Sequence, residues 1–416
     1  MSKSILGMDG ALIDRYADLI IEKGINVKEK KGVLILSGSG TYYFARALAK
    51  SAYRHKAKFV QILLDDLDVL SSRLDNQSDE ELAYNPAFMQ ALDYQFIAEE
   101  WAYIRVDNTE DRLDHAPLDG RKNQILSKAK RQFSEERSRR LMRHQLPWCV
   151  CIAPGPLWAE QVLGAGATTH DLMETLKPIL LLDQSDPAAA WDDKAETLKQ
   201  RQLYLNGLGI DSLHFKSPVT DLIIGMNRTS RFVGGSEVLP DGRPFFANLP
   251  TEEIFSTPDW RRTHGYVTTT RPVSVLDTPT EAVRLVFEAG KVVDYSAAIG
   301  QEAMDRFFQV DEGTRSIGEV ALVDETSPIA QSGLVFHSIL LDENASCHIA
   351  LGEGYPTALS NGSSLDTDEA LRSAGCNTSL MHTDFMIGSP DMTITAHLWG
   401  GGEVVIMRDG VFTFSR

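Results

Sequence analysis

Gly32-Val-Leu-Ile-Leu-Ser-Gly-Ser-Gly-Thr41, continued by Tyr42 to Arg54 and closed by Phe59-Val-Gln-Ile-Leu-Leu64, decides the fold of the amino-terminal half. GVLIL is a short apolar run suited to a buried strand, and the Ser/Gly turn breaks it. A helix is expected from about Tyr42 to Arg54, and FVQILL is the next strand, ended by Asp65-Asp66. Strand, helix and strand in that order make a βαβ unit, which implies parallel strands joined by a right-handed crossover.

The alternation extends outward from this unit. Residues 11 to 24 space Leu12, Ile13, Tyr16, Leu19 and Ile20 along one helical stripe and stop at Gly24. Tyr103 to Val106 is a further strand, a charged helix follows to about Arg143, and Trp148 to Ala153 is another buried strand. Pro154-Gly155-Pro156 ends it and starts a helix near Leu157. After Gly207 the segments become short and alternating, with hairpins expected over Val283–Tyr295 and Glu403–Phe414. One helix, about Ala297 to Phe308, interrupts them. The fold class is therefore α/β plus α+β. An open α/β domain with a parallel sheet covers residues 1–207, and a β-rich domain covers 208–416.

The chain has 416 residues, 43% hydrophobic and 24% charged, with a formal net charge of -17. That length accommodates about two to three domains, and the acidic balance argues against a nucleic-acid surface. No apolar stretch approaches the roughly 18 residues of a membrane span. The start, MSKSILGMDG, lacks the layout of a signal peptide. Four cysteines without CxxC spacing remove the zinc-ribbon reading and point to the cytoplasm.

The chemistry-bearing groups gather in the second half. Between Leu341 and Gly388 stand Glu343, His348, Tyr355, His382 and Asp384, set among apolar neighbours. His382 and Asp384 are spaced i, i+2, which in a strand puts both on one face. Glu252-Glu253 follows Asn248-Leu-Pro-Thr251, and Glu319 follows Gly318 where a strand is expected to begin. Three Glu segments, two His and one Asp offer mixed O/N ligation with no thiolate, suited to Zn²⁺, Co²⁺ or Mn²⁺, with Mg²⁺ less favoured. Six ligands exceed what one catalytic zinc uses. They suit two ions about 3.5–4 Å apart sharing a carboxylate. The pattern implies a metal-dependent hydrolase.

Two other features invite different functions. Ser37-Gly-Ser-Gly40 lies between a strand and a helix, as a nucleotide-binding turn does, but Tyr43 stands where the dinucleotide fingerprint has its third glycine. The segment Arg121–Arg143 carries nine Lys/Arg against Glu135 and Glu136, and a solvated helix or a subunit contact accounts for it. A nucleotide-dependent enzyme, and a metal-binding or ligand-binding protein without turnover, are thus the alternatives to the hydrolase.

Four motifs in order carry a resemblance: Asn248–Phe255, Gly318-Glu319 with Ser327-Pro-Ile329, Glu343–Gly352 with Tyr355-Pro356, and His382-Thr-Asp384. Together they resemble the aminopeptidase T and aminopeptidase S family of bacterial metallo-aminopeptidases. The resemblance implies a two-metal exopeptidase acting on peptides with a free N-terminus. Its metal ligands would be Glu253, Glu319, Glu343, His348, His382 and Asp384, with Glu319 as the bridge. Glu252 and Tyr355 become supporting or catalytic candidates, Glu252 as proton carrier if Glu253, and not Glu252, is the ligand, and Tyr355 as hydrogen-bond donor to the oxyanion. The family also implies a cytoplasmic homodimer to which the α/β domain contributes.

Overall fold

Gly32–Ser37 is buried along nearly its whole length, and its backbone pairs on both sides. The parallel partner on one side is Phe59–Leu64, with Val33 opposite Val60 and Leu36 opposite Leu63. On the other it is Ala102–Val106, with Val33 opposite Ala102. The computed structural model describes residues 6–115, 118–276 and 278–414. Within it, Trp148–Cys151 and then Asn248–Leu249 complete a five-stranded, all-parallel sheet. Helix Gly10–Leu19 packs on helix Tyr42–Arg54, with Tyr16 stacked on Phe44 at 4.7 Å. The expected open α/β architecture is present. Helices at Leu67–Asn76, Ala87–Ala98 and Thr169–Ile179 add to those read from the sequence.

The chain divides into two compact units. The first runs to Asp192 and includes Ser236–Pro250; the second comprises Asp193–Gly235 and the chain from Thr251 onward. The sequence placed one break after Gly207. The division differs because Asn248–Leu249 returns to pair in parallel with Val150-Cys151, and because helix Pro187–Leu208 begins in one unit and ends in the other.

In the first unit the Ser37–Gly40 turn is filled by the chain's own acid. Asp111 Oδ1 accepts from Gly40 N at 2.8 Å and from Ser39 Oγ at 3.0 Å. A Cβ at Gly38 would lie 1.9 Å from Asp111 Oδ2. A carboxylate thus stands where a phosphate would need to approach those amides, and the nucleotide reading is not favoured. The basic helix, Gly120–Met142, pairs four of its cations with acids: Arg121 with Asp79, Arg137 with Asp93, and Arg139 and Arg140 with Glu136. These pairs offset part of its positive charge.

The second unit is β-rich, and among its described residues two large antiparallel sheets are accompanied by a two-stranded one, Val273–Val275 with Thr278–Thr280. An eight-stranded sheet includes Ile210–Ser217, Thr220–Met226 and Pro258–Thr268. A four-stranded sheet takes the order Glu253–Ser256, Ile317–Val323, His348–Gly352, His382–Met386. One face of the small sheet, formed by Ile254, Val320, Leu322, Ile349, Leu351 and Phe385, joins Leu213, Phe215, Leu222, Ile224 and Phe287 of the large sheet in a single core.

Candidate metal centre

Antiparallel partners opposite one another present their side chains on the same face. The register therefore shows what the other face of the small sheet carries. Glu319 lies opposite Ala350, which lies opposite Asp384; Gly352 lies opposite His382; Ala321 lies opposite His348; Val323 lies opposite Glu253. All five ionisable side chains thus share the face turned from the core, and Ala321, Ala350 and Gly352 leave space among them. The sequence expected Glu319 at a strand end. Instead it is the third residue of Ile317–Val323, beside an irregularity in the ladder between Ile317 and Glu319. Such bulges re-aim a side chain. Gly318 makes this one possible, because a Cβ there would lie 2.3 Å from the carbonyl oxygen of Glu353 and 2.4 Å from that of Gly352.

Two groups of potential ligand atoms result, one of Glu253, Glu319 and His348, the other of Glu319, His382 and Asp384, each within 4.8 Å of one another. Glu319 belongs to both. The first group is fully buried, whereas His382 and Asp384 are half-buried. His348 Nε2 is 3.2 Å from Glu253 Oε2, and His382 Nε2 is 3.2 Å from Glu319 Oε2 and 3.4 Å from Asp384 Oδ1.

The second nitrogen of each imidazole faces a backbone carbonyl: His348 Nδ1 is 3.2 Å from Ser346 O, and His382 Nδ1 is 2.7 Å from Glu353 O. A carbonyl only accepts, so each Nδ1 carries the proton, and each Nε2 is directed at carboxylate oxygens. This is how metal-binding histidines are oriented. Without a cation, each Nε2 must hold a proton to face an anion. For His348, burial opposes this, but the Glu253 carboxylate outweighs it and raises the pKa to about 10. His382 is likewise raised well above its usual value, burial being outweighed by Tyr355, Asp384 and Glu319.

The carboxylates are divided by the same charges. Burial, with Glu253 and Asp384 adding to it, raises Glu319 and raises Glu343 far more. Burial also acts on Asp384, but His382 outweighs it and the net shift is downward. Glu253 Oε2 is buried and makes no hydrogen bond of acceptable geometry to any described residue. A buried carboxylate oxygen without a well-aligned donor, two oriented imidazoles and surplus negative charge are together the environment that divalent cations complete. The residues present fit such ions.

Glu343 is in neither three-residue group. It caps the short helix Ile339–Asp342 and is held beside the cluster, where it feels Glu253, Asp384, His348 and Glu319. Tyr355 is half-buried, with its hydroxyl 3.5 Å from His382 Nε2 and its ring 5.3 Å from that of Phe255. Glu252 turns elsewhere: its Oε2 lies 2.7 Å from Lys194 Nζ, and it belongs to neither group of ligand atoms. Cys347 faces the core, with Sγ near Val323 O and Met407 Sδ. Lys194 and Asn344 were not singled out from the sequence. No local pattern marks Lys194, whereas Asn344 sits inside the Glu343–His348 motif as a polar residue in a buried stretch.

Residues 10–412 match the thermophilic metalloprotease (M29) family. The chain is 33% identical to aminopeptidase T of Thermus thermophilus over 404 residues, covering 96% of this chain and 97% of that protein. It is 31% identical to aminopeptidase 2 of Geobacillus stearothermophilus over 408 residues, 97% and 98% of the two chains. The solved structure of wild-type AmpT from Thermus thermophilus superposes with a TM-score of 0.86 at 31% identity, covering 97% of this chain and 99% of that one. With the fold, the ligand-rich sheet face and these relatives in agreement, the chain is a peptide hydrolase belonging to the thermophilic metalloprotease (M29) family.

Proposed function

We propose that this chain is an aminopeptidase that releases N-terminal residues from peptides with two divalent cations, Zn²⁺ or Co²⁺ ahead of Mn²⁺ or Mg²⁺. Glu253, Glu319, Glu343, His348, His382 and Asp384 hold them. The observation that carries this reading is Glu319, common to two groups of ligand atoms as a bridging carboxylate would be. When bound, such a pair supplies Lewis acidity and lowers the pKa of water toward neutrality.

The chain's own groups do the rest. Ser346 O and Glu353 O hold the two imidazoles in one tautomer. Burial keeps the Tyr355 hydroxyl protonated, with the neighbouring carboxylates adding to the effect and His382 opposing it. It donates to the oxygen of the attacked carbonyl as negative charge develops there. Surplus carboxylate charge favours a substrate bearing a free α-ammonium group over an internal peptide bond. The 2.7 Å pairing of Glu252 Oε2 with Lys194 Nζ favours a supporting role for Glu252 over that of proton carrier.

Hydrolysis of leucyl-, arginyl- and acidic-residue anilides tests the function. Activity lost to a chelator and regained with added Co²⁺, Zn²⁺, Mn²⁺ or Mg²⁺ is the expected result. A metal-loaded protein that cleaves no free-amino substrate would overturn it.

The assembly proposed is a cytoplasmic homodimer to which the first unit contributes. Its edge strand Phe59–Leu64 leaves Phe59 47% and Leu64 52% exposed, and the four cysteines are free and buried. A monomer mass in sedimentation would overturn the dimer.

A further inference from the structure

Glu252 and Glu253 are adjacent acids, and only one reaches the cluster. The atoms that decide between them lie on another segment. Asn344 is fully buried in the turn Glu343–Ala345, after the short helix Ile339–Asp342. Its Oδ1 accepts from Glu252 N at 2.6 Å. Its Nδ2 donates to Leu340 O at 2.9 Å and, in a longer contact, to Glu343 Oε1 at 3.4 Å. One amide therefore ties the backbone entering the Glu253 strand to the carboxylate of Glu343 and to the helix that carries it.

Resting on the metal reading above, we propose that Asn344 is a positioning residue that fixes Glu253 and Glu343 relative to each other as ligands. The chemistry requires an amide. The carbonyl side meets a backbone N–H, and the NH₂ side meets a carbonyl and a carboxylate; neither Asp nor Leu offers both. Holding the Glu252 peptide also sets the direction of the next side chain, since successive residues of an extended segment point opposite ways. Glu252 then meets Lys194 at 2.7 Å, and Glu253 faces His348 at 3.2 Å. A Glu343 carboxylate crowded by Glu253 and Asp384 would otherwise turn away from the cluster in the metal-free protein. The amide N–H keeps it in place for the cations.

The test uses full-length protein, stripped of metal and titrated with Co²⁺. Calorimetry gives affinity and the visible absorption bands report coordination geometry. Asn344→Leu keeps the number and branching of the side-chain heavy atoms and removes all three contacts; Asn344→Ser serves if the bulkier first variant fails to fold. The expected result is a loss in Co²⁺ affinity of roughly ten- to a hundredfold, as for other residues that orient metal ligands, together with altered absorption bands. A variant that matches wild type in affinity and spectrum would overturn the proposal, whatever its melting temperature. Wild-type protein that takes up no Co²⁺ would overturn the metal reading itself, and the proposal with it.

Discussion

Glu319→Gln should abolish turnover while leaving the metal-free protein folded and about as stable as wild type. Glu319 shares its two groups with two like charges, Glu253 and Asp384, and with two imidazoles, His348 and His382. The ligand atoms of each group lie within 4.8 Å, so at an effective dielectric of about 20 each unit-charge pair is worth about 3.5 kcal/mol. With both imidazoles protonated, two repulsions and two attractions nearly cancel. The burial that raises the Glu319 pKa is also relieved when an uncharged amide replaces the carboxylate. The stripped variant should therefore melt within a few degrees of wild type, or above it.

Metal separates the two proteins. A cation present at a hundred times its dissociation constant stabilises the folded state by about 2.7 kcal/mol, a rise of a few degrees for a large domain. Wild type should show that rise on adding Co²⁺ and the variant should not, because both groups lose their shared member. Leucyl-anilide hydrolysis on the same samples gives the activity arm. A variant with the wild-type metal-dependent shift, or with near-normal turnover, would refute the bridging role.

Ala350→Leu places an isobutyl group between Glu319 and Asp384, which flank Ala350 in the register. It should cost about 1–3 kcal/mol from overpacking and remove metal uptake, whereas unchanged uptake by calorimetry would mean the space is not used. Lys194→Met leaves the buried Glu252 carboxylate without its nearest cation and should destabilise the protein by about 3 kcal/mol in a denaturant melt. Adding Glu252→Leu should restore most of that, and a harmless single variant would show the ion pair to be dispensable. Burial raises the Glu353 pKa to about 6, against backbone donation from Ser379 N. A carboxyl whose folded pKa is raised contributes stability that is complete below its unfolded pKa and lost as pH rises through the folded one. Metal-free wild type should therefore lose stability relative to Glu353→Gln between about pH 4.5 and pH 6. Parallel pH curves would contradict that assignment.

What the sequence could reveal depended on how far each determinant reached along the chain. The βαβ start was legible because GVLIL, the Ser/Gly turn and FVQILL are contiguous, and His382 with Asp384 because strand alternation alone puts both on one face. Glu319 was placed less well, since its direction comes from a bulge that exists only where Ile317–Val323 meets His348–Gly352. The break after Gly207 missed the return of Asn248–Leu249, because a two-residue strand has no periodicity and is defined by its partner at Val150-Cys151. The Glu252-Glu253 pair is the sharpest case. Alternation says that the two carboxylates diverge, but not which one meets the cluster. That choice is made by Lys194, 58 residues before Glu252, and by Asn344, 92 residues after it. Local pattern therefore identifies the residue types the proposed site needs, and long-range contacts decide which copies reach the cluster. Adjacent acids in such motifs should be assigned by asking which backbone N–H is tied down and which carboxylate already has a cation.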